Sequence, residues 1–80
     1  MPYYWFRWTD VAQTKVEDHG ITVNEFEAVV SQPVSTATSR STGRPIAFGF
    51  GDDGRMIACV YEQLNELEVI PITAYEVDDD

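Results

Sequence analysis

Cysteine occurs once in this chain, at Cys59, so no intrachain disulfide can form and the core must hold without one. Histidine also occurs once, at His19, and lysine and arginine together only five times against fourteen acids, giving a net charge of −9. Nucleic-acid affinity comes mostly from cations that neutralise phosphates, so this field counts against RNA or DNA as a partner. One His and one Cys, with no H-x-x-E or C-x-x-C spacing, supply no metal site. No apolar run approaches the ~18 residues that cross a bilayer. The opening MPYYWFRW lacks the basic and apolar regions of a signal peptide. The chain therefore reads as cytoplasmic, with no membrane partner.

Eighty residues make one domain, 1–80, and a hydrophobic fraction of 44% argues against disorder. Its ends read as an aromatic segment over 1–8 and a frayed acidic tail, Asp78-Asp79-Asp80. From Ala28 to Gly51 there is no acid at all, while Arg40 and Arg44 are both present.

Residues Tyr3 to Trp8 hold five of the ten aromatic side chains. Phe6 and Trp8 fit core anchors, while Tyr3, Tyr4 and Trp5 fit an exposed patch for a partner. From Thr9 the spacing predicts a helix whose stripe is Trp8, Val11, Ala12, Val16 and His19. Thr9 or Asp10 can cap it, and Gly20 is a natural stop. His19 in its last turn fits either a capping role or a catalytic one. Thr22 and Glu25 then spell a capping box, with Ile21 and Phe26 at the hydrophobic-staple positions. That second helix carries Phe26, Val29 and Val30, and Gln32-Pro33 ends it.

Val34 to Thr38 reads as a first strand and Ser39–Arg44 as a mobile basic loop. Pro45 to Glu62 follows as a hairpin about an Asp53-Gly54 turn. A two-residue turn pairs Asp52 with Arg55, Phe50 with Ile57, Phe48 with Cys59 and Ile46 with Tyr61. The bulky residues then share one face, which the helices are expected to cover. The small-residue face with Ala47, Gly49 and Ala58 is left open. A turn near Leu64-Asn65-Glu66 leads to a strand over Glu68–Val77, with Ile70 and Ile72 on the bulky face if that loop is even in length. Pro71 places this strand at an edge or puts a bulge in it. The expected fold class is α+β, with two N-terminal helices on one face of a four-stranded antiparallel meander.

Gly49-Phe50-Gly51-Asp52-Asp53-Gly54 matches G-x-G-x-x-G, but a strand follows where a nucleotide site needs a helix N-terminus, and two aspartates repel phosphate. The Asp pair is too sparse for a calcium loop, and no nucleophile elbow occurs. No cofactor is implied. Cys59 reads as a buried structural thiol; as a nucleophile it would want an adjacent base. What remains is metal-free ribonuclease chemistry, which needs a base, an acid and cations for the phosphorane charge. His19, Arg40, Arg44, Arg55, Tyr61 and Tyr75 are chemically capable members. Arg55 equally fits cross-strand pairing with Asp52, and the tyrosines fit strand packing.

The order of landmarks resembles the BrnT family, small toxins of the RelE-type ribonuclease superfamily. The residues that carry the likeness are Phe6-x-Trp8, His19-Gly20-Ile21, the Glu25-to-Val30 helix with Pro33, Ile46-Ala47-Phe48-Gly49, Gly54-Arg55, Ile57–Tyr61 and Thr73-Ala74. The resemblance implies a RelE-like fold and an antitoxin partner encoded beside the chain. It matches His19 to the family's His-Gly position and sets Arg40, Arg44 and Arg55 in its basic region. The family closes its last strand with a Ser-Ala-Arg-Arg type sequence and a further helix; here stand Thr73-Ala74-Tyr75-Glu76-Val77 and three aspartates. The expectation is thus a toxin-like component of a toxin–antitoxin-type system, acting through protein contacts with ribonuclease activity weakened or lost. Its alternative is an active metal-independent endoribonuclease using His19 and the loop arginines. The partner is expected to be an antitoxin-like protein, or a second copy, on the Ala47/Gly49/Ala58 face or on Tyr3–Trp5.

Overall fold

The computed structural model describes residues 4–77. Two short helices begin where side chains can satisfy the free amides of a first turn. Helix α1, Asp10–Asp18, is capped by Thr9, whose hydroxyl accepts from the Ala12 amide at 3.1 Å. It ends in a Schellman motif: Gly20, at φ +75°, donates to the Glu17 carbonyl, and Ile21 to that of Val16. Val16 and Ile21, the hydrophobic pair of that motif, are both fully buried. Helix α2, Val23–Ser31, carries the complete capping box. The Glu25 amide donates to the Thr22 hydroxyl and the Thr22 amide to Glu25 Oε1. Val11 is 65% exposed and His19 is exposed, so the buried stripe of α1 is narrower than its spacing predicts: Ala12 and Val16 alone.

The strands are β1 (Trp5–Phe6), β2 (Ser35–Thr38), β3 (Pro45–Phe50), β4 (Met56–Gln63) and β5 (Glu68–Glu76). They form one sheet in the order β1-β5-β4-β3-β2. The expected meander is there, but the sheet has five strands and is mixed, because β1 runs parallel to β5. The Trp5 amide donates to Leu67 and that of Arg7 to Val69. Strand β5 is therefore interior, and Pro71 is accommodated by the bulge: Val60 pairs with Thr73, then Tyr61 with Pro71. Asn65 shapes the β4–β5 turn, its Oδ1 accepting from the amides of Leu67 and Glu68.

The hairpin at Asp53-Gly54 forms, one residue out of the expected register. Gly51 and Arg55 close it, with the Gly51 amide donating to Arg55 and the Gly54 amide to Gly51. The turn thus has three residues, Asp52-Asp53-Gly54, the last at φ +85°. Phe50 then pairs with Met56, Gly49 with Ile57, Phe48 with Ala58, Ala47 with Cys59 and Ile46 with Val60. A slip of one residue exchanges the faces of one strand relative to the other. On β3 the helices cover Ala47 and Gly49, and Phe48 and Phe50 point away from them.

Close approach explains the choice. A Cβ on Gly49 would meet both methyls of Val29 at 3.1 Å, and one on Gly51 would collide with the Glu25 carboxylate. Helix α2 can seat Phe26, Val29 and Val30 against β3 only because β3 is small there. The bulk of the core comes from the helices and from Ile57, Cys59 and Ala74. Phe6 and Trp8 pack on it as expected, their rings edge-on to Phe26 with centroids 6.5 and 5.0 Å away. Among the described residues no helix is long and apolar enough to cross a membrane.

Candidate functional site

The expected catalytic set does not converge. His19 caps α1 and is exposed. Arg55 reaches the glycine that follows it: Nη2 donates to the Gly20 carbonyl at 3.0 Å, and Nη1 lies 3.2 Å from Glu76. Its Nε sits 2.5 Å from Asp53 Oδ2, an ion pair whose N–H is not aimed along a hydrogen bond. The Glu76 hydrogen bond, followed by the charge of Asp53, raises the Arg55 pKa. The Arg55 amide holds the Asp53 carboxyl below its ordinary value. Arg55 thus clamps the end of α1, the β3–β4 turn and the end of β5 together, with its charge matched by two carboxylates. The expected partner Asp52 is replaced by Asp53 and Glu76.

Arg40 and Arg44 stand at the other end of the sheet. Their segment is a hydrogen-bonded hairpin turn rather than an open loop: Ser39 donates to the Arg44 carbonyl and Gly43 to that of Ser39, both at 2.8 Å. The six residues of β3 separate these arginines from Arg55, roughly 20 Å at strand rise. Tyr61 packs on the core beneath the helices, and burial raises its hydroxyl pKa, which disfavours it as a base. Tyr75, paired with Ala58, points to the opposite face of the sheet. Cys59 is fully buried, and desolvation pushes its thiol up to about 12, in line with a structural role. Among the described residues no group of three or more His, Cys, Asp or Glu side chains could hold a metal ion.

Glu25 is the charged group that sequence reasoning undervalued. It is 6% exposed and uses both carboxylate oxygens: Oε1 closes the capping box, and Oε2 accepts from the Asp52 amide at 2.8 Å. The Thr22 amide first, and the Asp52 amide second, hold its carboxyl below the ordinary 4.5.

The other feature is the face that the helices leave bare. Cross-strand pairs put Ile46, Phe48 and Phe50 of β3 beside Met56, Ala58 and Val60 of β4, with Thr73 and Tyr75 of β5 next to them. Phe50 is 58% exposed and Tyr75 39%. A half-solvated antiparallel sheet alternates apolar with polar residues, whereas β3 and β4 are apolar on both sides. The expected open face is corrected accordingly. Ala47 and Gly49 lie under α2, and Ala58, on the bare side, is fully buried among larger neighbours. The row of alternate residues Arg44, Ile46, Phe48, Phe50 and Asp52 was the readable signal, obscured by a two-residue turn.

A second apolar spot surrounds Trp5, 72% exposed beside Leu67 at 56%. Hollows of 240 and 440 Å³ flank it, reaching Arg7, Asn65 and Glu68 on one side and Tyr4, Phe6 and Glu27 on the other. Of the expected aromatic patch, Trp5 is exposed, Tyr4 packs on the core, and Tyr3 lies outside the described residues, as does the tail Asp78–Asp80. Comparison with known proteins adds no relative: no family model, no curated protein and no solved structure matches this chain.

Proposed function

We propose that this chain is the protein-binding, toxin-like component of a toxin–antitoxin-type pair, a BrnT-like member on a RelE-like domain. It works through its surfaces, with ribonuclease activity lost or weakened. The bare apolar face of Phe48, Phe50, Met56 and Val60 supports this reading, since an exposed sheet face of this kind is normally covered by a partner. The wide separation of Arg44 from Arg55, and the carboxylates on Arg55, weigh against a cation cluster for a phosphorane. Expression of the chain alone tests the reading. The expected result is neither growth arrest nor RNA cleavage, with capture of the neighbouring gene's product by the wild type and loss of that capture in Phe50→Glu. RNA cleavage by the purified protein that disappears in His19→Ala overturns it.

One observation favours the endoribonuclease alternative: a hydrogen bond sets the Arg55 guanidinium on the carbonyl of Gly20, the residue that follows His19 in the chain. Cleavage of that kind would have to survive metal chelation and vanish in both His19→Ala and Arg55→Ala.

A further inference from the structure

We infer that the hollow between Trp5 and Glu27 takes a cationic side chain, arginine or lysine, from a protein partner, with Glu27 as its counter-ion. The contact is additional to the interaction reading above and rests on it for the protein nature of the ligand. The hollow, 440 Å³, lies where the edge strand β1, helix α2 and the β4–β5 turn meet, and Tyr4, Trp5, Phe6, Leu67 and Glu27 line it. Four of those residues are aromatic or aliphatic, and the fifth is a carboxylate. Long basic side chains carry the complement of that pattern, an apolar stem with a positive charge at its tip.

The Glu27 carboxylate is held in place yet has no neutralising charge. Its Oε2 accepts from Trp8 Nε1 at 2.9 Å, and the Trp8 ring is itself set edge-on against Phe26. An indole donates without bearing charge, so this bond orients the carboxylate and leaves it ionic. Of the five cations, Arg7 pairs with Glu68 and Arg55 with Asp53 and Glu76; among the described residues none forms an ion pair with Glu27. The hollow on the other side of Trp5 is the contrast: there Glu68 already holds Arg7 at 2.5 Å and Asn65 at 2.9 Å. The two hollows share Trp5 and Leu67, so the state of the carboxylate is what separates them.

Charge then selects the occupant. An anion is repelled by Glu27 and by the −9 field of the whole chain, and a wholly apolar group would strip water from an unpaired carboxylate. A cation gains from both, while its stem covers Trp5, 72% exposed, and Leu67. Aromatic rings attract cations as well, arginine more often than lysine, which makes arginine the better probe.

Nα-acetyl-arginine methylamide and its neutral citrulline counterpart, titrated into the full chain, test the site. The Trp5 indole N–H and the backbone amides of Tyr4, Phe6 and Leu67 are followed by nuclear magnetic resonance. About 0.1 M salt screens acids farther than roughly 10 Å away. The arginine compound should give saturable shifts with a dissociation constant of about 1–50 mM, since one ion pair and one packed stem contribute modestly. The citrulline compound should bind several-fold more weakly. Glu27→Gln, which keeps an acceptor for Trp8, should weaken the arginine compound about 3- to 5-fold. Trp5→Ala, at an exposed position, should weaken it too, both variants keeping the wild-type circular dichroism. Asp52→Asn makes the same change of charge beyond the far end of β4 and should bind as the wild type does. Capture of the neighbouring gene's product should fall by a similar factor in Glu27→Gln. No saturable shift, equal binding of the two compounds, equal loss in Glu27→Gln and Asp52→Asn, or capture indifferent to Glu27→Gln overturns the inference. In each of those cases capture by the wild type and its loss in Phe50→Glu keep the interaction reading standing. Arginine binding without any capture by the wild type overturns the protein partner and the interaction reading together, and leaves a site for a small cation.

Discussion

Replacing Glu25 with alanine removes one side chain and detaches two elements. The carboxylate holds the first turn of α2 through the Thr22 amide at 3.0 Å and the β3–β4 turn through the Asp52 amide at 2.8 Å. Hydrogen bonds to a charged oxygen contribute about 1.5–3 kcal/mol each, and water recovers part of that once the side chain is gone. The expected loss is about 3 kcal/mol for Glu25→Ala and about half that for Glu25→Gln, which keeps one acceptor but not the charge. At roughly 4–8 °C per kcal/mol for a domain of this size, alanine lowers Tm by about 12–24 °C. Urea titration and thermal circular dichroism measure both. The pH profile supplies the sign. The folded carboxyl titrates below its ordinary 4.5, so its contribution is complete above that value and disappears as pH falls through the folded one. Asp53 and Glu68 are depressed as well and weaken both proteins in acid, so the informative quantity is the difference. The wild-type advantage over Glu25→Gln should shrink as pH drops below about 4.5. A Glu25→Ala protein within about 0.5 kcal/mol of wild type, or a gap unchanged in acid, would refute the reasoning.

Gly49→Val should destabilise by about 1–3 kcal/mol, because its Cβ alone already meets the Val29 methyls at 3.1 Å. Adding Val29→Ala should return part of that loss in a denaturation double-mutant cycle, whereas plain additivity would place the strain elsewhere. Cys59 should resist Ellman's reagent in the native protein at about pH 8, where exposed thiols react, and label only as fast as the domain opens. Rapid labelling of the folded protein would contradict the burial that pushes its thiol up to about 12.

The helix ends were legible because their signals are local: Thr22 and Glu25 three residues apart, and Gly20 beside a histidine cap. The position of the hairpin was legible from Asp53-Gly54, but its register was not. Asp-Gly suits both a two-residue loop and the last two positions of a three-residue one. What decides between them is tertiary, namely the Asp52 amide on Glu25 and the room that Gly49 and Gly51 give to α2. Judging the inner face by side-chain bulk failed for the same reason, since a helix seats closest on the smallest residues. Strand β1 left no trace in the pattern, being two residues long and paired in parallel across sixty-three positions. The candidate site suffered most. Residue types named His19, Arg40, Arg44, Arg55 and Tyr61; the expected hairpin already set a strand between Arg44 and Arg55, but nothing in the sequence says that Asp53 and Glu76 take up Arg55.

Strand β5 lies between β1 and β4 and beneath α1, yet it follows every one of them in the chain. Translation therefore delivers the keystone after all the stones that lean on it. Until Glu68–Glu76 has emerged, the aromatic start and helix α1 have no wall to close against. Long-range closure of this kind is slow and leaves apolar surface uncovered meanwhile, which makes the newborn chain a natural client for chaperones.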